Sequence, residues 1–160
     1  MRRRTALHLL GAALLLTGLL GMAAPVRAEG GERKMVVVVN RDNPVANITL
    51  DDLRDLYFGK RRFWAHGERI QVADLVESKL PEEKSAFAHF AARFLGKEID
   101  AVKSYWIKII FSGAGQPPKQ LRSAAEVIDF VAASEGGVGY LYADDVTPAV
   151  KVVAVSRPEE

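Results

Sequence analysis

Histidines, paired carboxylates and one run of cations are the side chains here whose types could do chemistry. His66 and His89 do not share a metal-ligand spacing. His66 adjoins the turn residue Gly67, and His89 lies off the face of the phenylalanines around it, so both read as solvated side chains. The pairs Asp51-Asp52, Glu82-Glu83 and Asp144-Asp145 fall at helix starts or turns, where acids complement the positive end of a helix. Asp51 or Asp55 has the type for general acid or base work, but no neighbour would tune its pKa. A nucleophile elbow, a phosphate loop and an HExxH motif are all absent, and Gly137-Val-Gly139 is too short for dinucleotide binding. These residues argue against an enzyme; no catalytic residue, metal or cofactor is expected.

Lys60-Arg61-Arg62, followed by Phe63-Trp64, is the best basic cluster. It suits either the negative end of a helix or contact with an anion or partner, which makes Lys60 and Arg61 ligand candidates. Trp64, Tyr105 and Trp106 are aromatic enough to stack on a ligand, although aromatic residues at such positions more often serve core or rim packing.

The element that would position the cations is written out completely between Ile48 and Trp64. Thr49 caps a helix, with the Asp52 carboxylate expected to reach back toward the cap. Leu50, Leu53, Leu56 and Tyr57 form one apolar stripe, and Gly59 ends the helix. A second helix is expected from Pro81, with Phe87, Phe90, Ala91, Phe94 and Leu95 on one face and Gly96 as its stop. A third, from Ile99 to Ile110, places Ile99, Val102, Trp106, Ile109 and Ile110 on one side, before the loop Ser112–Pro118. Ser123 with Glu126 makes a second capping box ahead of Val127, Ile128, Phe130 and Val131, and Gly136-Gly137 ends that helix.

Strands are expected at Met35–Val39, Ile70–Val76, Val138–Leu141 and Val150–Val155. The first is a continuous β-branched run suited to burial on both faces, closed by the turn residues Asn40–Pro44. The fold class is therefore α/β, a mixed or parallel sheet of about four strands covered by helices.

Arg2, Arg3 and Arg4 precede the apolar run Ala6–Leu20, and Val26 with Ala28 offers small residues for cleavage before Glu29. Residues 1–28 read as a secretory signal peptide, since the run is short for a bilayer span and interrupted by glycines. Residues 29–160 form one domain, expected in the periplasm or secreted. The absence of cysteine rules out a lipid-attachment thiol and disulfides, so the core alone must hold the domain. Removing residues 1–28 takes away four arginines and leaves 18 basic against 20 acidic residues. That balance supplies no nucleic-acid footprint.

Several motifs, in order, carry a resemblance. Asn40–Pro44, Leu50–Lys60 with Trp64, Phe87 with Phe90, Tyr105-Trp106, Phe111–Pro118 and Gly136–Tyr140 together resemble the second lobe of phosphate-type periplasmic solute-binding proteins of ABC transporters. The resemblance implies a periplasmic-binding-protein-like lobe, a small anion as ligand and a membrane transporter as partner. It also implies that the loop after Ile70–Val76 carries the oxyanion site, where Ser78 and Lys79 are the surviving candidates, and it brings Tyr140 in as a ligand contact. The family's Ser-Gly-Thr turn is missing there, and Glu77, Glu82 and Glu83 surround the place an anion would take. The chain from Glu29 holds about one lobe, so a ligand stays half enclosed unless two copies face each other as a homodimer. Two readings follow: a single-lobe binder of phosphate or another small anion, or an interaction module that lost the pocket and docks on a transporter or periplasmic protein.

Overall fold

Four consecutive valines, Val36–Val39, form the heart of strand β1 (Met35–Asn40); Val37, Val38 and Val39 are almost wholly buried and Val36 partly so. The computed structural model describes residues 33–77 and 81–157, which belong to one compact unit, Glu32–Glu160. The expected signal peptide lies outside the described residues. Strands β2 (Asn47–Thr49), β3 (Gln71–Leu75), β4 (Lys119–Leu121), β5 (Gly137–Tyr142) and β6 (Val150–Ser156) complete a six-stranded sheet in the order β2-β6-β1-β5-β3-β4. β1 pairs antiparallel with both β5 and β6, whereas β2 with β6, β5 with β3 and β3 with β4 are parallel. Thus β1 alone runs against the other five. The sheet is mixed and helix-covered, as its composition implies, with two strands more than the apolar runs announce.

Both additional strands are edges of three residues each, β2 and β4. Short edges present little unpaired backbone to other chains. Three residues are too few to establish a period, which is why a reading by periodicity passes over them.

Helix α1 (Leu50–Tyr57) follows its pattern closely. Leu50, Leu53, Leu56 and Tyr57 are buried, the Thr49 hydroxyl accepts the Asp52 N–H at 3.1 Å, and Gly59 takes the left-handed conformation (φ 69°). The Asp52 carboxylate departs from the expected box: it pairs with Arg61 at 3.0 Å instead of reaching back to the cap. The strong cation beyond the helix outcompetes a single backbone N–H.

The second helix begins later than Pro81 suggests. Residues 82–84 make one 3₁₀ turn, and Ser85 is the true cap of α2 (Ala86–Phe90), accepting the Ala88 N–H at 3.1 Å. A π-helical turn, Ala91–Leu95, continues it to Gly96, which is left-handed at φ 65°. Phe87, Phe90, Ala91, Phe94 and Leu95 are all buried, so the expected face survives the change of helical type.

Helix α3 (Ile99–Phe111) buries Val102 and Trp106 but leaves Ile110 51 % exposed. Ile110 sits at the margin of the buried stripe, near the helix end, and joins Ile107 and Phe111 on the outer side. Helix α4 (Ala124–Ala132) is capped by the Ser123 hydroxyl, while the Glu126 carboxylate reaches one residue further than a capping box, to the Arg122 N–H at 2.8 Å. Its final carbonyls, Val131 and Ala132, accept from the buried Asn40 amide at 3.1 and 3.0 Å. Asn43 similarly donates to Glu135 O at 2.9 Å, so the turn after β1 ties the α4–β5 connection to the sheet. Gly136 permits the same closeness: a Cβ there would stand 1.9 Å from Arg69 O.

Candidate functional site at the carboxyl end of strand β3

In a sheet of mostly parallel strands, ligand sites form beyond the carboxyl ends. Here that edge collects the end of β3, the start of α2 and the end of β5. Asp74, near the end of β3, is buried at 4 % exposure, and its Oδ1 has no hydrogen-bond partner among the described residues. Burial pushes its carboxyl up to about 7, an effect partly offset by a hydrogen bond from the Tyr140 hydroxyl. That hydroxyl also accepts the Leu75 N–H at 3.1 Å. Tyr57 donates to Ala73 O at 3.2 Å, and burial with the neighbouring Asp74 raises both phenols above their ordinary range.

An aromatic stack holds these groups in place. The Phe90 ring lies parallel to Tyr140 with centroids 3.9 Å apart, and Tyr57 and Phe94 flank it at 4.5 and 5.2 Å. Tyr140 is wholly buried and presents no ring face to solvent, so its contacts are with the core.

Just outside this core, Glu77 turns back onto α2. Its Oε2 accepts the Ala86 N–H at 3.1 Å, while the buried Ser85 hydroxyl takes Ala88 N–H and donates to Glu82 O at 2.6 Å. The chain's own side-chain oxygens thus occupy two of the donors that open α2, Ala86 N–H and Ala88 N–H. Around them, Tyr142 hydrogen-bonds His89 Nδ1 at 2.9 Å, and Arg33 lies 4.0 Å over the Tyr142 ring while pairing with Asp145 at 2.8 Å. Burial and the Glu77 charge raise the Tyr142 phenol, against the lowering effect of Arg33.

Of the sequence-derived ligand candidates that fall among the described residues, Tyr140 alone lies at this edge. Ser78 and Lys79 lie outside the described residues. Lys60 and Arg61 stand beyond the other end of α1, paired with Asp55 at 3.1 Å and Asp52 at 3.0 Å. Trp64 is buried and donates from Nε1 to Gly136 O at 3.1 Å, so it braces the start of β5 from inside. Tyr105, half-buried, donates to Phe58 O at 2.6 Å. His89 touches Tyr142 although its side chain is exposed. Asp74 and Tyr57 are residues of this candidate site that sequence reasoning did not single out for it. For Asp74 the available signal was a lone carboxylate in a largely apolar strand, Ile70–Val76.

No family model matches the chain, and no curated protein sequence matches it. Solved structures do. The fold is that of a single periplasmic-binding-protein lobe. A putative phosphate ABC transporter substrate-binding protein from Clostridium perfringens, solved with bound phosphate, matches with a TM-score of 0.55 at 18% identity, over 76% of this chain and 44% of its own. PstS from Borrelia burgdorferi matches with a TM-score of 0.53 at 13% identity, over 76% and 46%. An ABC-type phosphate transport receptor from Vibrio cholerae gives 0.50 at 17% identity, over 76% and 45%. The chain spans less than half the length of these proteins.

Proposed function

We propose that this chain is an exported, non-enzymatic binding lobe that engages a protein partner and does not capture free phosphate. One observation carries the reading: the Glu77 carboxylate accepts the Ala86 N–H, so a negative charge of the chain's own stands where an incoming oxyanion would seek a donor. A free anion would have to displace that carboxylate and tolerate its charge nearby.

Melting the protein with and without millimolar phosphate tests this, because any ligand of the native state raises the transition. An unchanged transition is expected, and a rise that saturates with phosphate would overturn the proposal. A second reading, capture of a small anion for a membrane transporter, is favoured by the fold likeness to phosphate-binding proteins. It requires the saturating rise.

A further inference from the structure

At the amino end of β3, opposite the Asp74 edge, lies a groove of about 770 Å³. Its rim carries five cations, Lys60, Arg61, Arg62, Arg69 and Lys119, and no carboxylate lines it. Asp55 and Asp52 pair with Lys60 and Arg61 from the α1 side. Arg62, Arg69 and Lys119 have no carboxylate partner among the described residues. Arg62 donates to Ala114 O at 2.8 Å, a contact that fixes the guanidinium without neutralising it. The backbone draws their segments to one groove: Ile70 N–H donates to Arg62 O at 2.9 Å, and Lys119 opens β4 in register with Ala73 of β3.

The lining is also apolar, with Trp106 and Ile109 of α3 among it. Two glycines keep it open: a Cβ on Gly59 would lie 3.1 Å from the Trp106 ring, and one on Gly115 would lie 3.2 Å from Ile109. Beside it, α3 exposes Ile107, Ile110 and Phe111, the last at 87 %. Cations with no internal counter-charge, set above apolar side chains, fit a ligand that carries both carboxylates and apolar groups.

We infer that this groove docks an acidic, partly apolar segment of a protein partner. The inference rests on the reading of the chain as a partner-binding lobe and names the surface that reading requires. Charge complementarity selects the segment's sign, and the apolar lining favours a peptide over a bare polyanion. A nucleic acid would extend beyond the groove onto a body whose charge from Glu29 onward is net acidic. A flat membrane would not enter a concave site.

The test is fluorescence anisotropy of the full chain with a labelled peptide of alternating Glu and Leu, against its Gln/Leu analogue. Binding of the acidic peptide alone is expected, weakening as salt rises. Arg69→Glu with Lys119→Glu should weaken it at least about tenfold. Arg41→Glu, a charge reversal at the exposed turn after β1, should leave it unchanged. Both charge-altered residues of the groove are exposed, and the milder pair Arg69→Gln with Lys119→Gln should give a smaller loss with an unaltered melt. Absence of binding, equal loss in Arg41→Glu, or tighter binding of inorganic triphosphate or phosphatidylglycerol vesicles would overturn the inference. Phosphate melts separate the two failures: no peptide binding with phosphate still silent sinks the groove alone, whereas a saturating phosphate rise sinks the lobe reading itself.

Discussion

Asp74 is the residue whose environment makes the sharpest demand. Its carboxyl is pushed up to about 7 by burial, so the folded chain holds this proton more tightly than the unfolded chain does. The stabilisation is therefore complete only well below the ordinary carboxylate pKa and is lost as pH rises through 7. Asp74 should cost the fold about 2–3 kcal/mol between pH 5 and pH 8. Asp74→Asn should flatten that loss, as read from urea melts at both pH values; equal slopes in the two proteins would contradict the assignment. Phe90 makes a different demand, because it is wholly buried and stacked on Tyr140. Phe90→Ala should cost about 3–5 kcal/mol, and His89→Ala, an exposed side chain with one hydrogen bond to Tyr142, under about 1 kcal/mol. The phenylalanine face was legible because core residues repeat with the helix. Asp74 was not, because one carboxylate in a largely apolar strand leaves no periodic trace and its neighbours Tyr57 and Tyr140 come from distant segments.

Among elements, the helices were the more readable. Thr49, Gly59, Gly96 and Ser123 act as punctuation at the ends where they stand, since caps and left-handed positions depend on a few neighbouring residues. Thr49→Ala should cost about 1 kcal/mol in the same melts. The carboxylates of both capping boxes went elsewhere, Asp52 to Arg61 and Glu126 to Arg122 N–H, because long-range or adjacent donors competed for them. Ser85 was hidden behind Pro81, which starts a 3₁₀ turn and not the α-helix. Gly136 belongs at this scale too. Gly136→Ala would drive a methyl into Arg69 O and should destabilise by more than about 2 kcal/mol, whereas the same change at Gly67, with open space around it, costs only its backbone strain.

For the whole molecule, the α/β class follows from the alternation of apolar strands and amphipathic helices, but the strand order and the single reversed strand do not. Pairing is set by contacts far apart in sequence, such as Val37 with Tyr140, to which local patterns are blind. The lobe holds two contrasting ends. At the carboxyl edge of β3, Glu77 and Ser85 hydrogen-bond the opening of α2 with the chain's own oxygens; at the amino edge, Arg62, Arg69 and Lys119 have no carboxylate partner among the described residues. If the proposed function holds, a protein partner binds at the second end and free phosphate does not bind at the first. Calorimetric titration of the protein with phosphate, alongside Glu77→Ala, tests this most directly. No saturable heat from the unaltered protein, with any phosphate binding confined to Glu77→Ala, is the predicted result; saturable phosphate binding by the unaltered protein would contradict the account.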